Sequence, residues 1–213
     1  MAATVFEPSG LAALSVIRRV AELIDPAVAA VEAHLGEQVP PLTITIAGRA
    51  GLATAQLRAA GWRRARPGAV TAYWWNTYQE HRGAYAFTSV TRTDRVLIGL
   101  NSPMLAAQPG EMWPTLVHEL THAVQFARSG RRDELRAGLD NNLRIADAPA
   151  GLRHAMDAVT AIEEAEAYSV QYALTGDSAA PEFDRAAVHR RLLAAADAWA
   201  AREPAGGARC TRL

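Results

Sequence analysis

The segment His118-Glu119-Leu120-Thr121-His122 constrains this chain more than any other stretch. Two histidines four positions apart face the same way only on an α-helix, where residues i and i+4 lie one above the other. Their imidazole nitrogens can then reach one metal ion without any loop having to close, and zinc bonds imidazole nitrogen at about 2.0–2.1 Å. The glutamate directly after the first histidine is rotated by about 100° around the helix. There it is poorly placed to share the metal and well placed to take a proton from a metal-bound water, the division of labour in H-E-x-x-H zinc sites.

The flanking residues agree with a helix over about 113–129. Pro114 suits a first helical turn, and Gly130 stands where a carboxyl-terminal cap belongs. Val117, Leu120, Val124 and Ala127 recur at helical spacing as an inward face, with His118, His122 and Gln125 on a neighbouring one. The competing reading is a buried helix whose histidines are merely hydrogen-bonded.

Composition narrows the partners. The net charge is zero, and all 22 basic residues are arginine. The clusters Arg63-Arg64-Ala65-Arg66 and Arg131-Arg132 are short and read as solvated faces, so no nucleic-acid partner is expected. The single cysteine, Cys210, excludes a disulfide within the chain. Met1 to Gly10 lacks the pattern of a secretory leader, and no apolar run is long enough to span a bilayer. The expectation is a soluble cytoplasmic protein without a membrane partner.

Periodicity outlines one α+β domain over 1–203, with a flexible tail from 204 to 213. Leu11 to Leu35 is helical, with Asp25-Pro26 predicted to divide it in two. Leu42 to Ile46 alternates as a strand, and Leu52 to Gly61 reads as a short helix. Strands are expected at Val70 to Trp75, Ala84 to Val90 and Arg95 to Leu100, with Asn76 to Gly83 as the loop between the first two. Arg131 to Pro149 reads as polar and turn-rich, while Gly151 to Thr175 and Phe183 to Arg202 read as helices. This describes an amino-terminal α/β lobe over about 1–110 with a small mixed sheet, a central metal helix and a helical carboxyl-terminal lobe over about 145–203. The strand Arg95 to Leu100 is a candidate sheet edge along which an extended peptide could pair.

Catalytic zinc usually has three protein ligands and an open position. The metzincin pattern would need glycine at 125 and histidine at 128, where this chain has Gln125 and Arg128. Candidates for the third ligand lie in Glu163-Glu164-Ala165-Glu166. Glu163 and Glu166 fall on the side of Leu152, Val159, Val170 and Leu174, whereas Glu164 falls with Tyr168 and Gln171 on the polar side. Periodicity alone leaves both choices open.

The pieces His118 to Gln125 (HELTHAVQ) and Glu164 to Gln171 (EAEAYSVQ) resemble bacterial zinc metallopeptidases of the gluzincin type, whose metal helix reads HELTHxxQ and whose second helix reads ExxA. The resemblance covers roughly thirty residues in two pieces. It implies a zincin-like fold, zinc as cofactor, a peptide or protein substrate, His118, His122 and Glu164 as ligands, and Glu119 as general base. Many of those proteins carry aspartate four residues after the ligand glutamate, holding the first histidine; this chain has Tyr168, whose phenol could accept a histidine N–H instead.

A group to stabilise a developing oxyanion is also expected, with His81, His154, Tyr168 and Tyr172 as candidates. His34 and His189 have no chemistry nearby. Tyr73-Trp74-Trp75 and Tyr78 read as core plus one exposed face. The leading functional reading is a zinc metallopeptidase. A protease restricted to one regulatory or processing target, similar to those that cleave repressors, is the enzymatic alternative. A catalytically silent zincin-fold binding protein is the non-enzymatic one, against which the intact Glu119 argues.

Overall fold

The computed structural model describes residues 4–8, 13–147 and 150–176, with side chains described at 13–147, 156 and 158–176. The helix expected over Phe183 to Arg202 and the tail from 204 lie outside the described residues. In chain order the longer elements are β1 (Thr4–Pro8), α1 (Leu14–Leu35), β2 (Leu42–Ala47), α2 (Arg49–Ala59), α3 (Pro67–Glu80), β3 (Ala86–Val90), β4 (Val96–Asn101), α4 (Ser102–Ala107), α5 (Met112–Ala127), α6 (Arg131–Asn142) and α7 (Ala150–Thr175). The mixed α+β class expected from the sequence is what the chain adopts.

The four strands form one sheet in the order β1-β2-β4-β3. β1, β2 and β4 run parallel, and β3 pairs antiparallel at the edge. Every residue of β4 is buried, as befits a parallel strand covered on both faces. Leu42, Ile44 and Ile46 of β2 and Val96, Ile98 and Leu100 of β4 share one buried cluster with Val20, Ile24 and Val31 of α1 and Leu116, Leu120 and Val124 of α5. A smaller cluster joins Leu57 of α2, Tyr73 of α3 and Leu143 just after α6. α5 packs against α1, α7 and the strands β3 and β4, so the helix carrying the two histidines is clasped on several sides.

Several expectations are corrected. α1 is one helix that runs through Pro26. Its buried residues Val16, Val20, Ile24, Ala27, Val31 and Leu35 form an unbroken stripe across the proline, whose own ring is exposed. Packing of that stripe offsets the lost backbone hydrogen bond. Val70 to Trp75 is no strand but the middle of α3, which begins with Pro67 in its first turn and absorbs most of the expected loop. The buried positions Ala69, Tyr73 and Thr77 keep a spacing of four, and that period outweighed the β-propensity of the aromatic run. α6 occupies the segment expected to be turn-rich. β4 lies inside the sheet, because it pairs with β2 on one side and β3 on the other, so the edge belongs to β3. β1 had no counterpart in the sequence reading. Within α5, Val117, Leu120 and Val124 are buried as expected, but Ala127 is exposed.

One glycine fixes the approach of β3 to β4. Gly99 lies opposite Phe87 in the register, and a Cβ at Gly99 would stand 2.0 Å from the Phe87 ring. Phe87 in turn stacks on His81 with ring centroids 4.6 Å apart. Gly99→Ala must displace this stack, in which His81 is buried and Phe87 partly so, and overpacking of this kind costs about 1–3 kcal/mol. Denaturant melts of the variant are expected to show that loss, and Phe87→Leu in the same chain should recover part of it.

Candidate metal centre

α5 brings His118 and His122 one turn apart, and α7 lays Glu164 across them. The two histidine Nε2 atoms are 3.1 Å apart. The Glu164 carboxylate reaches His122 Nε2 at 3.3 Å with one oxygen and His118 Nε2 at 3.5 Å with the other. Among the described residues these three form a group whose ligand atoms all lie within 4.8 Å of one another. A tetrahedral ion with bonds of about 2.0–2.1 Å separates its ligand atoms by about 3.3 Å. The donor set therefore fits a small divalent cation in both chemistry and spacing.

The periodicity that divided the acids agrees with what the structure does with them. Glu163 is buried and holds Arg131 through two hydrogen bonds of 2.7 Å. Glu166 is buried and holds Arg128 at 2.7 and 2.9 Å, while Arg128 also grips Glu37. Glu164 is about half exposed and faces the histidines. Arginine thus occupies two of the three acids and leaves Glu164 to face the histidines. When the two rings carry their second proton, hydrogen bonds from His118 and then His122 hold the Glu164 carboxyl well below the usual carboxylate range. Burial alone would lower the pKa of His122, but the hydrogen bond to Glu164 and the nearby Glu119 outweigh it and raise the value.

Glu119 lies on the same stretch of α5, buried to 7% exposure at the wall of the cleft. Its carboxylate accepts a hydrogen bond of 2.6 Å from the Thr88 hydroxyl on β3. Among the described residues no cation pairs with it, and the donor that holds it is a neutral hydroxyl. The cleft has a volume of about 650 Å³, bounded by Tyr85 and by Ala86 to Thr88 of the edge strand on one side and Glu164 and Tyr168 of α7 on the other.

Tyr168 does not hold the first histidine by a hydrogen bond, as the missing aspartate had suggested. Its ring meets His118 edge-on, with centroids 4.6 Å apart, and His118 Nδ1 is buried with no hydrogen-bond partner. Burial, together with the charge of Glu164, raises the phenol's pKa and keeps it protonated. Of the other oxyanion candidates, Tyr172 stacks on Tyr168 and does not line the cleft. The side chain of His154 lies outside the described residues. His81 is excluded: it is buried against Phe87, its Nε2 is bonded to Gln56, and it does not line the cleft. Trp74 and Trp75 stack on Tyr78 away from the metal group, so the aromatic run is no part of this cleft.

Thr88 and the pairing of arginines with acids were not anticipated. Thr88 carries no motif and comes from a strand far upstream. The arginines were legible in principle, since Arg128 and Arg131 have the same spacing of three as Glu163 and Glu166. No protein-family model, curated protein or solved structure matches the chain.

Two outcomes follow from these environments. Glu163→Ala breaks the buried pair and leaves Arg131 with only the half-exposed Glu134, and breaking a buried pair costs about 3–5 kcal/mol, whereas Glu164→Ala should lower metal affinity with a much smaller change in melting. Zinc titrations and thermal melts of the two variants separate the roles. Burial, and then the charge of Arg49, push His81 down from 6.5 to about 4. The unfolded chain takes up that proton first, so stability should fall as pH drops from 6.5 and stop falling on this account near 4. An NMR titration of the His81 ring, with melts across the same range, checks both values.

Proposed function

We propose that this chain is a zinc-dependent metallopeptidase of zincin-like architecture, as the resemblance of its two motif pieces to gluzincins implies. The observation that carries the proposal is the convergence of His118 Nε2, His122 Nε2 and the Glu164 carboxylate at separations of 3.1–3.5 Å. These three residues would hold the ion. Zinc there would supply Lewis acidity towards a scissile carbonyl and bring the pKa of a coordinated water down to about 7.

The chain's own groups account for the remaining work. Glu119 is the general base, taking a proton in the cleft and passing it to the leaving amine. Thr88 holds the Glu119 carboxylate by one oxygen, which leaves the other free to take the proton. Tyr168, the one candidate whose phenol borders the cleft, supplies a protonated donor for charge developing on the substrate oxygen. β3 supports the choice of a peptide substrate. Among the described residues it is one of the two edge strands of the sheet, and it runs along the cleft wall, so an extended chain can pair with its backbone. Among the described residues no helix is long and apolar enough to cross a membrane.

Glu119→Gln keeps the shape of the side chain but removes its basicity. It is expected to retain stoichiometric zinc and lose about 10²–10⁴-fold in peptide hydrolysis, measured by elemental analysis and by turnover of an unstructured protein such as casein. His118→Ala and His122→Ala should each lose the zinc. Stoichiometric zinc in both histidine variants would refute the metal assignment, and full turnover in Glu119→Gln would refute the base.

A further inference from the structure

One buried polar side chain beside the metal group has so far been given no task. Gln125 follows His122 by one turn of α5 and is fully buried. Its amide nitrogen donates to the main-chain carbonyl of Glu163 at 2.9 Å and to the Glu166 carboxylate at 3.0 Å. Both partners can only accept. A carbonyl has no proton to give, and the Glu166 carboxylate is ionised by its paired contacts with Arg128. The amide can therefore be oriented in one way only, with its oxygen towards His122.

That oxygen lies 2.7 Å from His122 Nδ1. An amide oxygen accepts and does not donate, so the imidazole proton must sit on Nδ1. The lone pair is then on Nε2, the nitrogen that faces His118 and Glu164. The other neutral tautomer could donate from Nε2 to Glu164 at 3.3 Å, but it would put a proton where a metal has to bind. It would also set Nδ1 against Gln125 with two acceptors only 2.7 Å apart, the shorter and the buried one of the two contacts.

We propose that Gln125 is the positioning residue of this site, fixing His122 in its metal-binding tautomer and tying that ring to the helix of the third ligand. The second half follows from the same side chain. By holding the carbonyl of Glu163, Gln125 anchors the backbone immediately before Glu164. A single amide thus registers a ligand on α5 against a ligand on α7. Glu166, Arg128 and Glu37 stand behind it as a chain of ion pairs reaching the surface. The inference rests on the metal reading for its consequence, but the tautomer belongs to the protein itself.

The test begins with the unaltered, zinc-free protein at alkaline pH. Long-range proton–nitrogen NMR of the His122 ring is expected to show protonated Nδ1 and unprotonated Nε2. A ring with its proton on Nε2 overturns the proposal without any variant. Gln125→Met keeps the volume and removes the hydrogen bonds, and it should lose the single-tautomer signature. Chelator competition should find its zinc affinity lower by about 10–100-fold, the usual effect of removing a group that orients a ligand. A folded Gln125→Met with unchanged affinity and unchanged tautomer overturns the proposal. If that variant does not fold, the tautomer of the unaltered protein decides. A wild-type chain that takes up no zinc sinks the metal reading, while the tautomer measurement still judges Gln125.

Discussion

The arrangement of this molecule depends on the burial of arginine against glutamate between α7 and the turn joining α5 to α6. Arg131 and Glu163 are both nearly inaccessible, with side-chain exposures of 7% and 10%, and are bonded to each other twice. Ions withdrawn from water are tolerable only when fully paired, and a pair with two parallel hydrogen bonds accepts almost no rotation or slip. α7 is therefore held against α5 in one register along its axis. Glu164 lies next to one member of this lattice, and its direction follows from theirs. Gly130, in the left-handed conformation at φ 78°, turns the chain so that Arg131 can begin α6 facing α7.

The sheet supplies the opposite wall in a similar way. The Phe87 ring can come this close to the backbone of β4 only because residue 99 has no side chain, and β3 in turn packs beside α5. Thr88, the next residue, is thereby brought to hydrogen-bonding distance of Glu119. A backbone constraint in the core thus becomes a contact at the cleft. The two walls are built from different physics, ion pairs on one side and packing on the other.

Much of the candidate centre could be read from the sequence, because its chemistry is local. His118, Glu119 and His122 need one turn of helix, and the apolar positions around them declare that helix. Glu164 was separable from Glu163 and Glu166 by period, although period alone could not say which side held the ligand. What escaped the reading is non-local. Thr88 reaches Glu119 only through the pairing of β3 with β4, and nothing near Thr88 in the chain signals it. The errors in the fold have the same origin. Tyr73, Trp74 and Trp75 have the composition of a strand, yet Ala69, Tyr73 and Thr77 bury one helical face against α2 and the end of α6. Pro26 has the local character of a break, yet a continuous buried stripe carries α1 past it.

The two histidines are braced unequally. His122 is gripped through Nδ1 by a hydrogen bond, which is directional and fixes the plane of its ring. His118 has no such bond at Nδ1 and leans instead on the ring of Tyr168, itself 45% exposed. An edge-on ring contact is less directional than a hydrogen bond, so the plane of the His118 ring is less tightly fixed than that of His122. The pair joins a stiff arm to a compliant one. Catalytic zinc sites sometimes pass from four neighbours to five as the reaction proceeds, and in such a centre the compliance would sit at His118, on the side where Tyr168 meets the solvent.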